Sequence, residues 1–98
     1  MKTIYCGIID HCQIEPTLDF ELFVKPEPAI EYIKNRWKDI KEIHIDLRDT
    51  EENLRSILVF LQCASMLYKK HPKVFVRAED EQEQLLFSGI KKLCWMTK

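Results

Sequence analysis

The sequence predicts a single α/β domain spanning residues 1–98, in the order ββαβαβα, with helices packed mainly on one face of a mixed β-sheet. Three observations carry that expectation. Segments with the two-residue period of strands alternate with segments of helical period. Prolines and acidic capping residues fall at the joints between them. A chain of 98 residues with 46% hydrophobic and 32% charged side chains should bury roughly 65% of its unfolded surface, enough for a core without disulfide or metal staples.

Residues Thr3 to Ile9 are rich in Ile and Tyr and read as a strand covered on both faces. Gln13 to Thr17, with Pro16, supplies a turn. Leu18, Phe20, Leu22 and Val24 then alternate with Asp19 and Glu21, as a half-buried strand requires. Pro26 and Pro28 end it, and Pro28 suits the first turn of a helix, where a missing N–H costs nothing. Ile30, Ile33, Trp37 and Ile40 recur at helical spacing with charged residues turned outward.

Glu42 to Leu47 alternates cleanly, Ile43, Ile45 and Leu47 against His44 and Asp46. Asp49 followed by Glu52 is an N-cap with an acid three residues on, so a long helix is expected from about Thr50 to Tyr68 or Lys70, stopped by His71-Pro72. Val74 to Val76 is a short strand. Asp80 to Glu83 repeats the capping pattern for a last helix through Leu85, Leu86, Ile90 and Leu93, whose Lys91-Lys92 end suits the helix dipole. Helices between strands imply parallel pairing in the second half, beside an antiparallel N-terminal pair.

The long helix is apolar nearly all round. Leu54, Ile57, Leu58, Leu61, Ala64 and Tyr68 form the expected core stripe, but Val59, Phe60, Cys63, Met66 and Leu67 occupy the side that should be solvated. Either a neighbouring helix, such as the last one with Trp95, covers the excess, or the excess is a protein-binding surface.

Fifteen basic against sixteen acidic residues give a net charge of −1, which offers no footprint for a phosphate backbone, so no nucleic-acid partner is expected. The first apolar run is cut by Asp10, far short of a membrane span, and a cytoplasmic location is expected. Cys6, Cys12, Cys63 and Cys94 lack C-x-x-C spacing and are expected as free thiols, with no metal and no cofactor. Asp10-His11-Cys12 is the one place where acid, imidazole and thiol adjoin; neighbours on an extended chain point apart, which makes a thiol- or metal-dependent enzyme at His11/Cys12 the remote alternative. His44 and Asp46 share a strand face and read as its polar side. His71 reads as a cation at a helix end. The acidic run Glu79 to Glu83 reads as a helix start or, less simply, a groove for a basic partner. Gly-rich phosphate loops and nucleophile-elbow motifs are missing, which removes most enzyme readings.

From Leu18 onward the layout resembles the STAS domain, the fold of bacterial anti-sigma factor antagonists and of the cytoplasmic tails of sulfate transporters. The likeness rests on the strand LDFELFV, the helix PAIEYIKNRW, the strand IHIDL ending in Asp-Leu, the long helix NLRSILVFLQCASMLYKK, the strand KVFVRA and the closing LLFSGIKKL. It covers roughly 80 residues. Regulatory members open the long helix with Asp-Ser-(Ser/Thr)-Gly-Leu and are phosphorylated on its serine. This chain has DTEENLRSIL there, with Thr50 and Ser56 as the nearby hydroxyls and Glu51 and Glu52 opposing a phosphate at Thr50.

The resemblance implies a non-enzymatic regulator or adaptor that binds a partner protein or itself, including as a homodimer. The expected contact residues are Asp49, Thr50, Asn53, Ser56, Phe60, Cys63 and Met66. The alternative of another class is a small-ligand domain, for a nucleotide or lipid, with its pocket between strand ends and helix starts.

Overall fold

The structure is a computed structural model and describes residues 1–7, 19–48, 53–78 and 81–96. Among these residues five strands and three helices follow in chain order: β1 (Lys2–Cys6), β2 (Phe20–Phe23), α1 (Pro26–Asn35), β3 (Ile40–Asp46), α2 (Arg55–Leu67), β4 (Lys73–Arg77), α3 (Glu81–Leu86) and β5 (Leu93–Met96). A 3-10 turn, Trp37–Asp39, joins α1 to β3. The sheet order is β2-β1-β3-β4-β5.

Every strand pair is parallel, which corrects the mixed sheet and the antiparallel N-terminal pair expected from sequence. The reason is length. β1 ends at Cys6 and β2 begins at Phe20, and a connection spanning residues 7–19 is of the dozen-residue size a parallel crossover needs, far beyond a hairpin turn. Ile8 and Ile9, expected in the first strand, and the turn at residues 13–17 lie outside the described residues.

The chain also ends the sheet with a strand where a helix was expected. α3 stops at Leu86, and Lys92 adopts φ 59, a left-handed conformation that reverses the chain into β5. The aromatic and sulfur side chains of Leu93–Met96 then fit the pleat beside β4.

Register sorts the sheet into two faces. Ile4 pairs with Ile43 and Ile43 with Val74; Cys6 pairs with Ile45 and Ile45 with Val76. These buried side chains join Ala29 and Ile33 of α1, Ile57, Leu58, Leu61 and Ala64 of α2, and Phe87 and Ile90 beyond α3 in one core. The three strand–helix–strand units β2–α1–β3, β3–α2–β4 and β4–α3–β5 carry their helices to this same face, as right-handed crossovers moving in one direction must.

Helix ends follow local chemistry. Pro26 opens α1, its absent N–H falling where no intrahelical partner exists. α2 begins later than expected, at Arg55, with Leu54 at its N-cap position and no side-chain cap. Asp49, assigned as that cap from sequence, lies outside the described residues. Trp37 is nearly buried and its indole Nε1 donates to the Lys70 carbonyl at 2.6 Å. That bond ties the exit of α1 to the exit of α2.

Strand order reverses between β1 and β3, the switch point where open parallel sheets form a crevice. Gly7 stands there at φ 97, its amide donating to the Phe23 carbonyl at 2.9 Å. A Cβ at this position would press on the Asp46 carbonyl oxygen and on Leu54. Only glycine lets β1 and β3 approach so closely at this φ.

Candidate functional site

The outward side of α2 is the strongest candidate. Ile57, Leu58, Leu61, Ala64 and Ser65 face the core, so the expected stripe is present except at Tyr68, which is 42% exposed beyond the helix end. Flanking contacts settle the rest. Phe60 is half-buried, its ring edge-on to Trp37 with centroids 6.4 Å apart. On the other flank Gln62 Nε2 donates to the Leu86 carbonyl at 3.3 Å, and the Ser65 hydroxyl accepts from the Lys91 amide at 3.1 Å.

Between these flanks nothing among the described residues covers the helix. Val59 is 52% exposed, Met66 81% and Leu67 77%, with Cys63 exposed between them. Leu85 and Leu86 of α3, expected along the apolar period of the last helix, are 80% and 67% exposed. They point outward because α3 buries Glu83 and the following turn buries Phe87, which leaves positions 85 and 86 on the far side of a helix only six residues long. Trp95, expected to cover α2 from a last helix, lies instead in β5, partly buried against the core.

The predicted contact residues divide accordingly. Cys63 and Met66 stand on the exposed stripe, and Ser56 borders it, half-buried. Ser56 Oγ donates to the carbonyl of exposed Asn53 at 2.9 Å, closing the first turn. Phe60 belongs mostly to the α1–α2 seam. Asp49 and Thr50 lie outside the described residues, as do His11 and Cys12. Val59 and Leu67, read from sequence on the side that should be solvated but not among the expected contact residues, join the stripe, as the lack of any charge on α2 after Arg55 would allow; Leu85 and Leu86 of α3 were not foreseen there.

One polar pair anchors the surface. Arg55 Nε donates to Glu83 Oε1 at 2.7 Å, linking the first turn of α2 to α3. Glu83 is only 6% exposed and its second oxygen has no hydrogen-bond partner. A buried carboxylate whose cationic partner among the described residues is Arg55 makes the orientation of α3 dependent on that side chain.

The opposite sheet face carries a stacked ladder. Tyr5, His44 and Phe75 are in register across β1, β3 and β4, with His44 4.9 Å from the Tyr5 ring and 4.8 Å from the Phe75 ring. Burial between the two rings holds the His44 pKa below its ordinary value, against the pull of Glu42 at 3.6 Å and with the help of the Arg77 cation. The imidazole is therefore neutral near pH 7. Asp46, on the same face as expected, pairs with Arg48 and not with His44: two guanidinium bonds of 3.1 and 2.9 Å and the Arg48 amide at 3.0 Å meet its carboxylate. Burial raises the Asp46 pKa, but the Arg48 bonds outweigh it and the net shift is downward. A cavity of about 140 Å³ opens beside the ladder, lined by Tyr5, His44, Asp46, Phe75, Arg77 and Met96.

His71 differs from its expected role as a helix-end cation. Both ring nitrogens are buried without hydrogen-bond partners, and burial together with the Lys91 and Lys92 charges lowers its pKa. Cys6 is fully buried, and burial pushes its thiol up to about 12, so it is no nucleophile near neutrality. Among the described residues no group of three or more His, Cys, Asp or Glu side chains could hold a metal ion. No helix among them is long and apolar enough to cross a membrane. Compared with known proteins, the chain matches no family model, no curated protein and no solved structure.

Proposed function

We propose that this protein is a non-enzymatic regulatory or adaptor domain that works by protein–protein binding through the outer face of α2. The observation that carries the reading is the stripe Val59, Cys63, Met66 and Leu67, uncovered by any described residue, with Leu85 and Leu86 of α3 exposed as well. A monomer rarely leaves contiguous apolar surface of several hundred Å² open to water unless something binds there. The STAS-like layout, with IHIDL leading into the long helix, supports the same kind of work. A cytoplasmic setting goes with it, since the exposed Cys63 and Cys94 thiols stay reduced there.

The test compares wild type with Met66→Glu in affinity capture and in light scattering. Wild type retains a protein partner or associates with itself, and the variant loses that behaviour while keeping its far-UV circular dichroism. A strict monomer that retains nothing would sink the reading.

The cavity beside His44 favours a second reading, small-ligand binding at the strand ends. Its size argues against a nucleotide or lipid: about 140 Å³ falls well below the roughly 300 Å³ at which ordinary ligand pockets begin. Thermal-shift screening with small anions and aromatic acids checks it, and His44→Phe should remove any stabilisation found.

A further inference from the structure

We infer that the partner seated on α2 is a second copy of this chain, docked with the two α2 helices antiparallel about a two-fold axis beside Cys63. The inference rests on the protein-binding reading above and names its occupant. A two-fold interface must be complementary to itself, each residue meeting the one that meets it in return.

The exposed stripe meets that condition. Val59, Cys63 and Met66 follow at spacings of four and then three residues, the alternation of a helix–helix seam. Val59 and Met66 stand on either side of Cys63, so an axis there sets Val59 of one copy against Met66 of the other. Ser56 closes one end of the seam and Leu67 flanks the other.

Charge and area agree with that occupant. α2 carries no ionisable group after Arg55 other than the Cys63 thiol, and the Arg55 guanidinium is engaged by Glu83. A two-fold therefore brings no like charges together along the seam, and the surface offers nothing that would select a charged partner. Exposure of 52% at Val59, 81% at Met66, 77% at Leu67 and 67% at Leu86 gives apolar area of the order of several hundred Å². A standard dimer interface needs about 800 Å² per partner, a size that the polar rim of Asn53, Ser56 and Gln62 helps to reach. Helices packed 8–10 Å apart at their axes bring facing thiols within reach of a short cross-linker.

The experiment uses the full chain, light scattering over a wide concentration range, and a short bismaleimide as probe. The expected result is a dimer that cross-links through Cys63, loses the link in Cys63→Ser and keeps it in Cys94→Ser. Met66→Glu and Val59→Glu should each weaken association at least about tenfold, because each buries an unpaired carboxylate at the seam, with circular dichroism unchanged. A dimer indifferent to both substitutions, or one linked only through Cys94, would overturn the inference. A monomer that captures a different protein through the Met66 surface overturns self-association and leaves the protein-binding reading standing. A monomer that captures nothing overturns both.

Discussion

Replacing Gly7 with alanine tests the geometry at the switch point of the sheet. At φ 97 a side chain strains the backbone by about 1–3 kcal/mol. The added methyl would also meet the Asp46 carbonyl oxygen and lie 2.9 Å from Leu54 Cδ1. The Asp46 oxygen belongs to β3 and cannot swing aside as a side chain could, so overpacking adds about 1–3 kcal/mol. Stiffening the unfolded chain returns only about 0.4–1 kcal/mol. The net loss is about 2–5 kcal/mol, a large share of the 5–15 kcal/mol typical of a domain, and Tm should fall on the order of 10–30 °C. Urea and thermal unfolding followed by circular dichroism measure it. Gly89→Ala is the control: its nearest neighbour would be the flexible Gln62 amide at 3.3 Å, without a positive φ, and its effect should stay within about 1 kcal/mol. A Gly7→Ala protein as stable as wild type, or no more affected than the Gly89 variant, would refute the reasoning.

Three further outcomes follow from the polar groups. Both His44 and His71 have pKa values lowered by burial, so the unfolded chain binds protons more tightly; stability is fully present above about pH 6.5 and declines as pH falls through that value. Unfolding titrations from pH 8 to 5 should show this slope, and the double variant His44→Phe with His71→Gln should flatten it. Arg55→Ala should cost about 1.5–3 kcal/mol, because it leaves the buried Glu83 carboxylate without its cation; denaturant midpoints check it, and Glu83→Gln in the same chain should recover part of the loss. In folded protein diluted below the point of association a maleimide should label Cys63 and Cys94 and spare Cys6, whose thiol is buried and pushed up to about 12; peptide mapping that finds Cys6 labelled at the same rate would contradict its burial.

What could be read along the chain was whatever local period and punctuation express. Strand β3 is legible because Ile43, Ile45 and Leu47 alternate with polar residues, and the core stripe of α2 because Leu54, Ile57, Leu58, Leu61 and Ala64 repeat at helical spacing. The end of α3 was not legible: Leu85, Leu86, Ile90 and Leu93 keep a helical period, yet a left-handed Lys92 turns the last of them into β5. The direction of β2 was equally hidden, since alternation looks the same in parallel and antiparallel strands and only the length between them speaks.

By itself, then, the sequence determined the α/β class, the core stripe of α2 and the excess of apolar residues on its far side, all consequences of periodicity within one segment. Whether that excess was covered depended on residues distant in the chain, and only tertiary structure decided it. The crossover positions place Trp37 beside Phe60 and the Leu86 backbone beside Gln62, while Val59, Cys63 and Met66 fall between them, uncovered by any described residue. Burial is a property of where elements meet, and no window of neighbouring residues contains that information.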